Sequence, residues 1–278
     1  MDDRPIGFFD SGLGGLTCIP YLLKALPQER IVYFGDTART PYGSKATSTI
    51  RAFAEEVADF LAETQNVKMI AIACNTVSAI ALEELRRRHP LIPVLGIISP
   101  ASLAVAETCT EKNRIGVIGT KATIASGAYP KKITALRPGL SVSQQACPAF
   151  VPLIEEGIIE NHIMDLTIRY YLDHFIGQDS IDTLVLGCTH YPLIRSNIDK
   201  LYPRLKVIDP SEEMLGSIKG ALDGGDLHAG SSRAPEHVFY ASDLSENFTG
   251  MIDRIFSGTG FPVTFKTHNL EHHHERKG

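Results

Sequence analysis

Met69-Ile70-Ala71-Ile72-Ala73-Cys74-Asn75-Thr76 decides the fold once it is set beside Thr183-Leu184-Val185-Leu186-Gly187-Cys188-Thr189-His190. Each is a short apolar run, then a small residue, a cysteine and two polar residues. Such a run reads as a buried strand. A thiol just past it stands where α/β proteins build active sites. Two thiols arriving by the same route imply two similar half-sites. Two half-sites with one acid/base each can take a proton from one face of a carbon and return one to the other.

Working outward, strands alternate with helices. Pro5–Phe9 reads as a strand, followed by the turn Asp10-Ser11-Gly12-Leu13-Gly14-Gly15. A helix is expected from Leu16 to about Ala25, with Pro20 as an awkward interior residue. Arg30–Phe34 is the next strand, ending at Gly35-Asp36-Thr37, and Pro41-Tyr42-Gly43 marks a turn. Ile50, Phe53, Ala54, Val57, Phe60 and Leu61 recur at helical spacing, which predicts a helix over Thr49–Glu63. After the first cysteine strand a helix over Ser78–Arg88 is expected, ended by Pro90. This alternation predicts largely parallel sheet covered by helices.

The pattern then restarts. Arg114–Thr120 echoes Pro5–Ser11 at an offset of 109 residues, and the cysteine strands echo each other at 114. Near-equal offsets point to a duplicated α/β unit: two similar doubly wound α/β lobes related by a pseudo-twofold, with the active site in the cleft between them. Expected elements near Glu212–Leu222, His237–Tyr240 and Phe248–Phe256 are too few for a third unit. The expected domains are therefore 1–97 plus 208–278, and 98–207.

The chain has 278 residues, 44% of them hydrophobic and 21% charged, which is ample for one or two cores. Its net charge of -5 argues against nucleic acid or an anionic membrane as partner. Arg86-Arg87-Arg88 reads as the solvated end of a helix. No apolar run approaches the ~20 residues of a membrane helix, and no signal peptide is read at the start. Five cysteines without CxxC spacing point to a reduced, cytoplasmic protein with free thiols and no metal site. The tail from Leu270 to Gly278 contains three adjacent histidines, and no metal role is assigned to them.

The chemistry-bearing residues follow from position. Asp10-Ser11-Gly12 with Gly14 and Gly15 follows a strand and opens a helix, so its backbone N–H groups suit an anion, a carboxylate as well as a nucleotide. Asp10 has two readings of equal standing, an acid with work to do beside an anion site or a helix N-cap. Cys74 and Cys188 are each expected at a helix start, which favours thiolate. Asn75, Thr76 and Thr189 can hydrogen-bond a small polar ligand. His190 is a hydrogen-bonded structural histidine, a substrate contact or an assistant to the thiol. Glu155-Glu156 reads as a solvated helix face. Cys18, Cys109 and Cys147 lack this context and read as structural.

Asp10-Ser11-Gly-Leu-Gly-Gly-Leu-Thr, Gly35-Asp36-Thr with Pro41-Tyr42-Gly43, Ala73-Cys74-Asn75-Thr76, Gly119-Thr120 with Thr123, Val151-Pro-Leu-Ile-Glu155, and Leu186-Gly-Cys188-Thr189-His190-Tyr-Pro-Leu together resemble the glutamate racemase family. The resemblance runs from Ile6 to about Phe256; Cys18 and Val77 depart slightly from the usual pattern. It implies interconversion of L- and D-glutamate with no cofactor, supplying D-glutamate for peptidoglycan, by a cytoplasmic homodimer. It implies Cys74 as the base for D-glutamate and Cys188 for L-glutamate, with Asp10, Glu155 and His190 supporting them. Implied substrate contacts are Asp10, Ser11, Pro41, Tyr42, Gly43, Asn75, Thr76, Thr189 and His190, with Thr120 and Thr123 behind them. Rival readings are a sister racemase for aspartate or another amino acid, a cysteine hydrolase using Cys188 with His190, and a non-catalytic two-lobe binding protein.

Overall fold

The structure, a computed structural model, describes residues 1–230, 235–257, 259 and 263–270. The histidine-containing tail beyond Leu270 lies outside the described residues. Two parallel sheets carry the fold. The first is built on β1 (Ile6–Asp10), β2 (Ile31–Gly35), β3 (Met69–Ile72) and β4 (Val94–Gly96), in spatial order β2-β1-β3-β4. The second is built on β5 (Arg114–Gly119), β6 (Ser141–Ala146), β7 (Thr183–Gly187) and β8 (Lys206–Ile208), in order β6-β5-β7-β8. The two orders are the same when each is counted from its own first strand. That is the duplication implied by the near-equal offsets. β9 (Val238–Ala241) and β10 (Phe265–Thr267) extend the first sheet beyond β2, making six strands against four.

Every residue of β1, β2, β3 and β7 is buried, so these strands are covered on both faces and read as continuous apolar runs. Register places Phe9 against Phe34 and Ile72, and Ile118 against Leu186. The cysteine strands β3 and β7 thus flank β1 and β5 in equivalent places, and their carboxyl ends deliver Cys74 and Cys188.

The helices differ from expectation in instructive ways. Gly14–Cys18 is a 3-10 turn and α1 begins only at Ile19 (Ile19–Ala25), which moves Pro20 into the first turn, where its missing N–H has no partner to lose. α2 covers Thr47–Asp59 and its apolar stripe runs on through a π turn, Phe60–Thr64. The single helix expected over Ser78–Arg88 is two: α3 (Asn75–Ile80) starts directly at Cys74, and α4 (Leu82–Arg88) follows a break at Ala81, where φ is -115°. At its end Arg86 bonds Glu83 and the Val94 carbonyl, and Arg88 bonds Asp59.

Beyond β4 come α5 (Ile98–Thr108), α6 (Lys121–Ser126), α7 (Ala128–Leu136), α8 (Phe150–Glu155), α9 (His162–Asp179) and α10 (Arg195–Leu201). α11 (Pro210–Gly225) packs on α5, on α1 and on the 3-10 turn after β1. It opens with Asp209 as N-cap, whose carboxylate accepts from Ser211 N. α12 covers Glu246–Phe256. No helix among the described residues is long and apolar enough to cross a membrane.

Candidate active site

The carboxyl ends of β1, β3 and β7 meet around one small cavity. It is lined by Ser11, Thr40–Gly43, Cys74–Thr76, Thr120, Val151 and Cys188–His190. Both sheets therefore contribute, and each contributes one thiol. All five cysteines are free and buried, but only Cys74 and Cys188 reach this cavity.

Cys74 is the N-cap of α3, and its Sγ lies 3.4 Å from Ser11 Oγ. The helix-start argument fails for it. Burial, then the nearby Asp10 charge, pushes the Cys74 thiol up to about 12, against smaller opposing contributions from Ser11 and the Val77 N–H. A six-residue helix does not offset the loss of water. Cys188 has no α-helix start behind it at all: a turn and the 3-10 segment Tyr191–Ile194 precede α10. Its neighbour is His190, with Nδ1 3.9 Å from Sγ. On the other side of that ring Nε2 lies 3.2 Å from Glu155 Oε1. Glu155 is thus turned to His190 at the end of α8, while Glu156 is exposed. Burial works against a charged His190, yet the hydrogen bonds and charges of Cys188 and Glu155 outweigh it and raise the imidazole to about 10.

Asp10 ends β1 and is fully buried behind the cavity wall. Its carboxylate accepts from Gly12 N at 3.0 Å and from Thr189 Oγ1 at 3.2 Å. Burial raises its pKa, with His190 and the Gly12 and Gly15 N–H groups opposing. Asp10 is therefore no plain N-cap; it ties the first lobe to the second through Thr189. Gly14 explains the glycines of this turn: a Cβ there would stand 2.5 Å from His190 Nδ1. The turn needs close approach across the cleft, not left-handed backbone.

The remaining predicted contacts fall on two walls. Thr76 Oγ1 lies 3.0 Å from Thr120 Oγ1 and 3.2 Å from Thr123 Oγ1, a three-hydroxyl cluster spanning both lobes. Asn75 Oδ1 accepts from Tyr129 OH at 2.6 Å, which leaves its buried Nδ2 without a protein partner. Beside them, Pro41, Tyr42 and Gly43 line the cavity in a loop packed against the second lobe; a Cβ on Gly43 would meet Thr120 Cβ at 2.4 Å. Thr40, Val151 and Tyr129 are site residues that sequence reasoning did not assign. Thr40 Oγ1 is buried and unpartnered, but nothing in an isolated Thr signals that. Tyr129 reaches Asn75 from 54 residues away, a pairing no local pattern encodes.

Among the described residues no group of three or more His, Cys, Asp or Glu is arranged to hold a metal. The arrangement can do acid/base chemistry on a small polar molecule held between two thiols, with hydroxyl and amide donors on the walls.

Two α/β lobes that each deliver one thiol to a shared cavity define the class, and the chain belongs to the Asp/Glu/Hydantoin racemase family, whose profile matches residues 17–216. Within that family its relatives include proteins named glutamate racemase. That of Geobacter metallireducens is 43% identical over 93% of this chain and 94% of its own length. That of Chlorobaculum tepidum is 46% identical over 94% of each. The crystal structure of glutamate racemase from Francisella tularensis in complex with D-glutamate superposes with a TM-score of 0.90, at 38% identity, covering 98% of this chain and 100% of that one.

Proposed function

We propose that this protein interconverts L- and D-glutamate without a cofactor, with Cys74 and Cys188 as the two bases, and that it supplies D-glutamate for peptidoglycan. The observation that carries the reading is the pair of thiols, one from each lobe, in one cavity of a chain whose relatives are glutamate racemases. The proposal includes a cytoplasmic homodimer with no nucleic-acid or membrane partner, and lobes bounded as 1–97 plus 208–278 and 98–207.

The α-carboxylate is held by the free Asn75 amide, the Ser11, Thr76 and Thr189 hydroxyls and backbone N–H groups. Toward D-glutamate, Cys188 as thiolate takes the α-proton of the L-isomer and Cys74 as thiol gives one to the opposite face. The surroundings suit this direction. Burial keeps Cys74 protonated, and His190, itself backed by Glu155, stands with Nδ1 3.9 Å from the Cys188 sulfur. In reverse Cys74 must ionise against its burial and the nearby Asp10 charge. An α-hydrogen is far less acidic than a thiol, so the site must also stabilise carbanion charge on the carboxylate. A dry, preorganised donor is typically worth ~3–4 kcal/mol.

Circular dichroism of purified protein with L-glutamate, then D-glutamate, and no added cofactor tests this. Decay to zero signal from both sides is the expected outcome. A flat signal with folded, reduced protein rejects glutamate; activity on a panel including aspartate then identifies a sister substrate. A hydrolase would also use the series Cys188, His190 and Glu155, but it leaves Cys74 without work and would yield a cleaved product.

A further inference from the structure

Asp36 follows β2, is completely buried and does not line the cavity. Its carboxylate nevertheless gathers three donors. Oδ2 accepts from Arg39 Nε at 2.7 Å and from the Tyr42 phenol, and Oδ1 accepts from Ser242 Oγ at 2.9 Å. Its own N–H donates to the Asp10 carbonyl at 3.1 Å, which fixes it beside the end of β1. Arg39 is also buried; its Nη1 reaches Glu56 Oε2 at 2.5 Å and its guanidinium lies 4.0 Å above the Phe53 ring. Ser242 comes just after β9, from the far end of the chain, and its hydroxyl also accepts from Ala38 N at 2.8 Å.

One of these bonds holds Tyr42 itself, and the others fix the stretch Asp36–Arg39 that leads directly into the cavity-lining segment Thr40–Gly43. Only short 3-10 turns shape it, Thr37–Arg39 just before it and Tyr42–Ser44 overlapping its end, so no sheet ladder fixes it. Burying a carboxylate is costly unless its donors are supplied, and here one comes from the loop it would orient, Tyr42, and one from the residue just before it, Arg39. We propose that Asp36 is the positioning residue of the substrate loop: by holding the Tyr42 phenol, with Arg39 and Ser242, it sets Pro41–Gly43 at the spacing the bound glutamate needs. This rests on the function proposed above. Tyr42 remains a neutral donor throughout, because burial and then the Asp36 charge push its phenol well above the ordinary value.

The test is steady-state kinetics on wild type, Asp36→Asn, Tyr42→Phe and the double variant, with thermal melts of each. Misplacing a positioning loop costs on the order of ten-fold or more, so Asp36→Asn should lower kcat/KM by about ten-fold, mostly through KM. Tyr42→Phe should move KM the same way. The double variant should be no worse than Asp36→Asn alone, because both remove one device. A merely structural Asp36 would lower the melting temperature and leave KM within two-fold, or its effect would multiply with that of Tyr42→Phe; either result overturns the proposal. If Asp36→Asn does not fold, Tyr42→Phe decides: a raised KM supports the anchor and an unchanged KM overturns it. Wild type measured alongside keeps the two claims apart, since no glutamate turnover there rejects the function, not the anchor.

Discussion

Cys74 and Cys188 agree in position and differ in surroundings. Cys74 sits against Ser11 near Asp10, and Cys188 against a histidine backed by Glu155. Each base is needed in both directions, once to take a proton and once to give one. Cys74→Ala and Cys188→Ala should therefore each lower racemisation below detection in the dichroism assay. Each should still exchange solvent deuterium slowly into the one enantiomer its remaining thiol reaches, seen by NMR; full racemisation in either variant defeats the two-base mechanism. His190 adds a pH signature. Its folded pKa, about 10, lies above the ordinary 6.5. Protonation of His190 thus stabilises the fold fully below about pH 6.5, and that stabilisation is lost as pH rises through about 10. The gap in melting temperature between wild type and His190→Asn should narrow steadily across that window; a constant gap would mean that His190 is neutral in the folded protein. At this scale the sequence was legible where chemistry and position coincide: strand, small residue, Cys, polar pair. It was silent where a role depends on a distant partner. Glu155 looks like a solvated helix residue until His190 is placed 3.2 Å away, and the thiol acidity expected from a helix start reverses once burial is known.

The elements were legible in kind and not in their joints. Period-3.6 patterning marks α2 but cannot show that its last turn widens to a π turn, since the apolar stripe continues either way. Nor does it show the break at Ala81, which separates the short helix carrying Asn75 and Thr76 from α4. The break has a consequence. α3 is only six residues long, so the direction of its site-facing side chains depends on contacts from outside the helix. The chief one is Tyr129 on α7 of the other lobe, whose phenol takes the Asn75 carbonyl oxygen and so turns the amide nitrogen out as a free donor. Tyr129→Phe should let that amide rotate. The expected cost is about 1 kcal/mol of stability, together with a several-fold rise in KM for glutamate and little change in kcat. Equal KM values for wild type and variant would show that Asn75 is oriented by its own helix.

At the scale of the whole molecule the lobes are closed. The cavity between the thiols has about 20 Å³ of free space, room for about one water, and far too little for glutamate. Substrate entry is therefore expected to part the lobes. Few direct bonds hold them at the site: Thr189 to Asp10 and Thr17, Thr76 to Thr120 and Thr123, and Tyr129 to Asn75. All of them join polar groups that could trade partners with a carboxylate or ammonium, so at the site itself opening exchanges hydrogen bonds; away from it one continuous apolar core runs through both lobes. A close approach across the lobes is Gly43 on Thr120, where a Cβ would come within 2.4 Å of Thr120 Cβ. Gly43 has no positive φ, so alanine there is compatible with its backbone and conflicts only with closure. Gly43→Ala should fold with a melting temperature near that of wild type, because the open form accommodates the methyl group. Its lobes, held apart on the order of an ångström, should leave both thiols mispositioned and lower kcat by about a hundred-fold. Small-angle scattering should show it more extended than wild type in the presence of D-glutamate. Wild-type kcat in a folded Gly43→Ala variant would mean that the chemistry tolerates a gap at this contact, and that the closed cavity is not the reacting state.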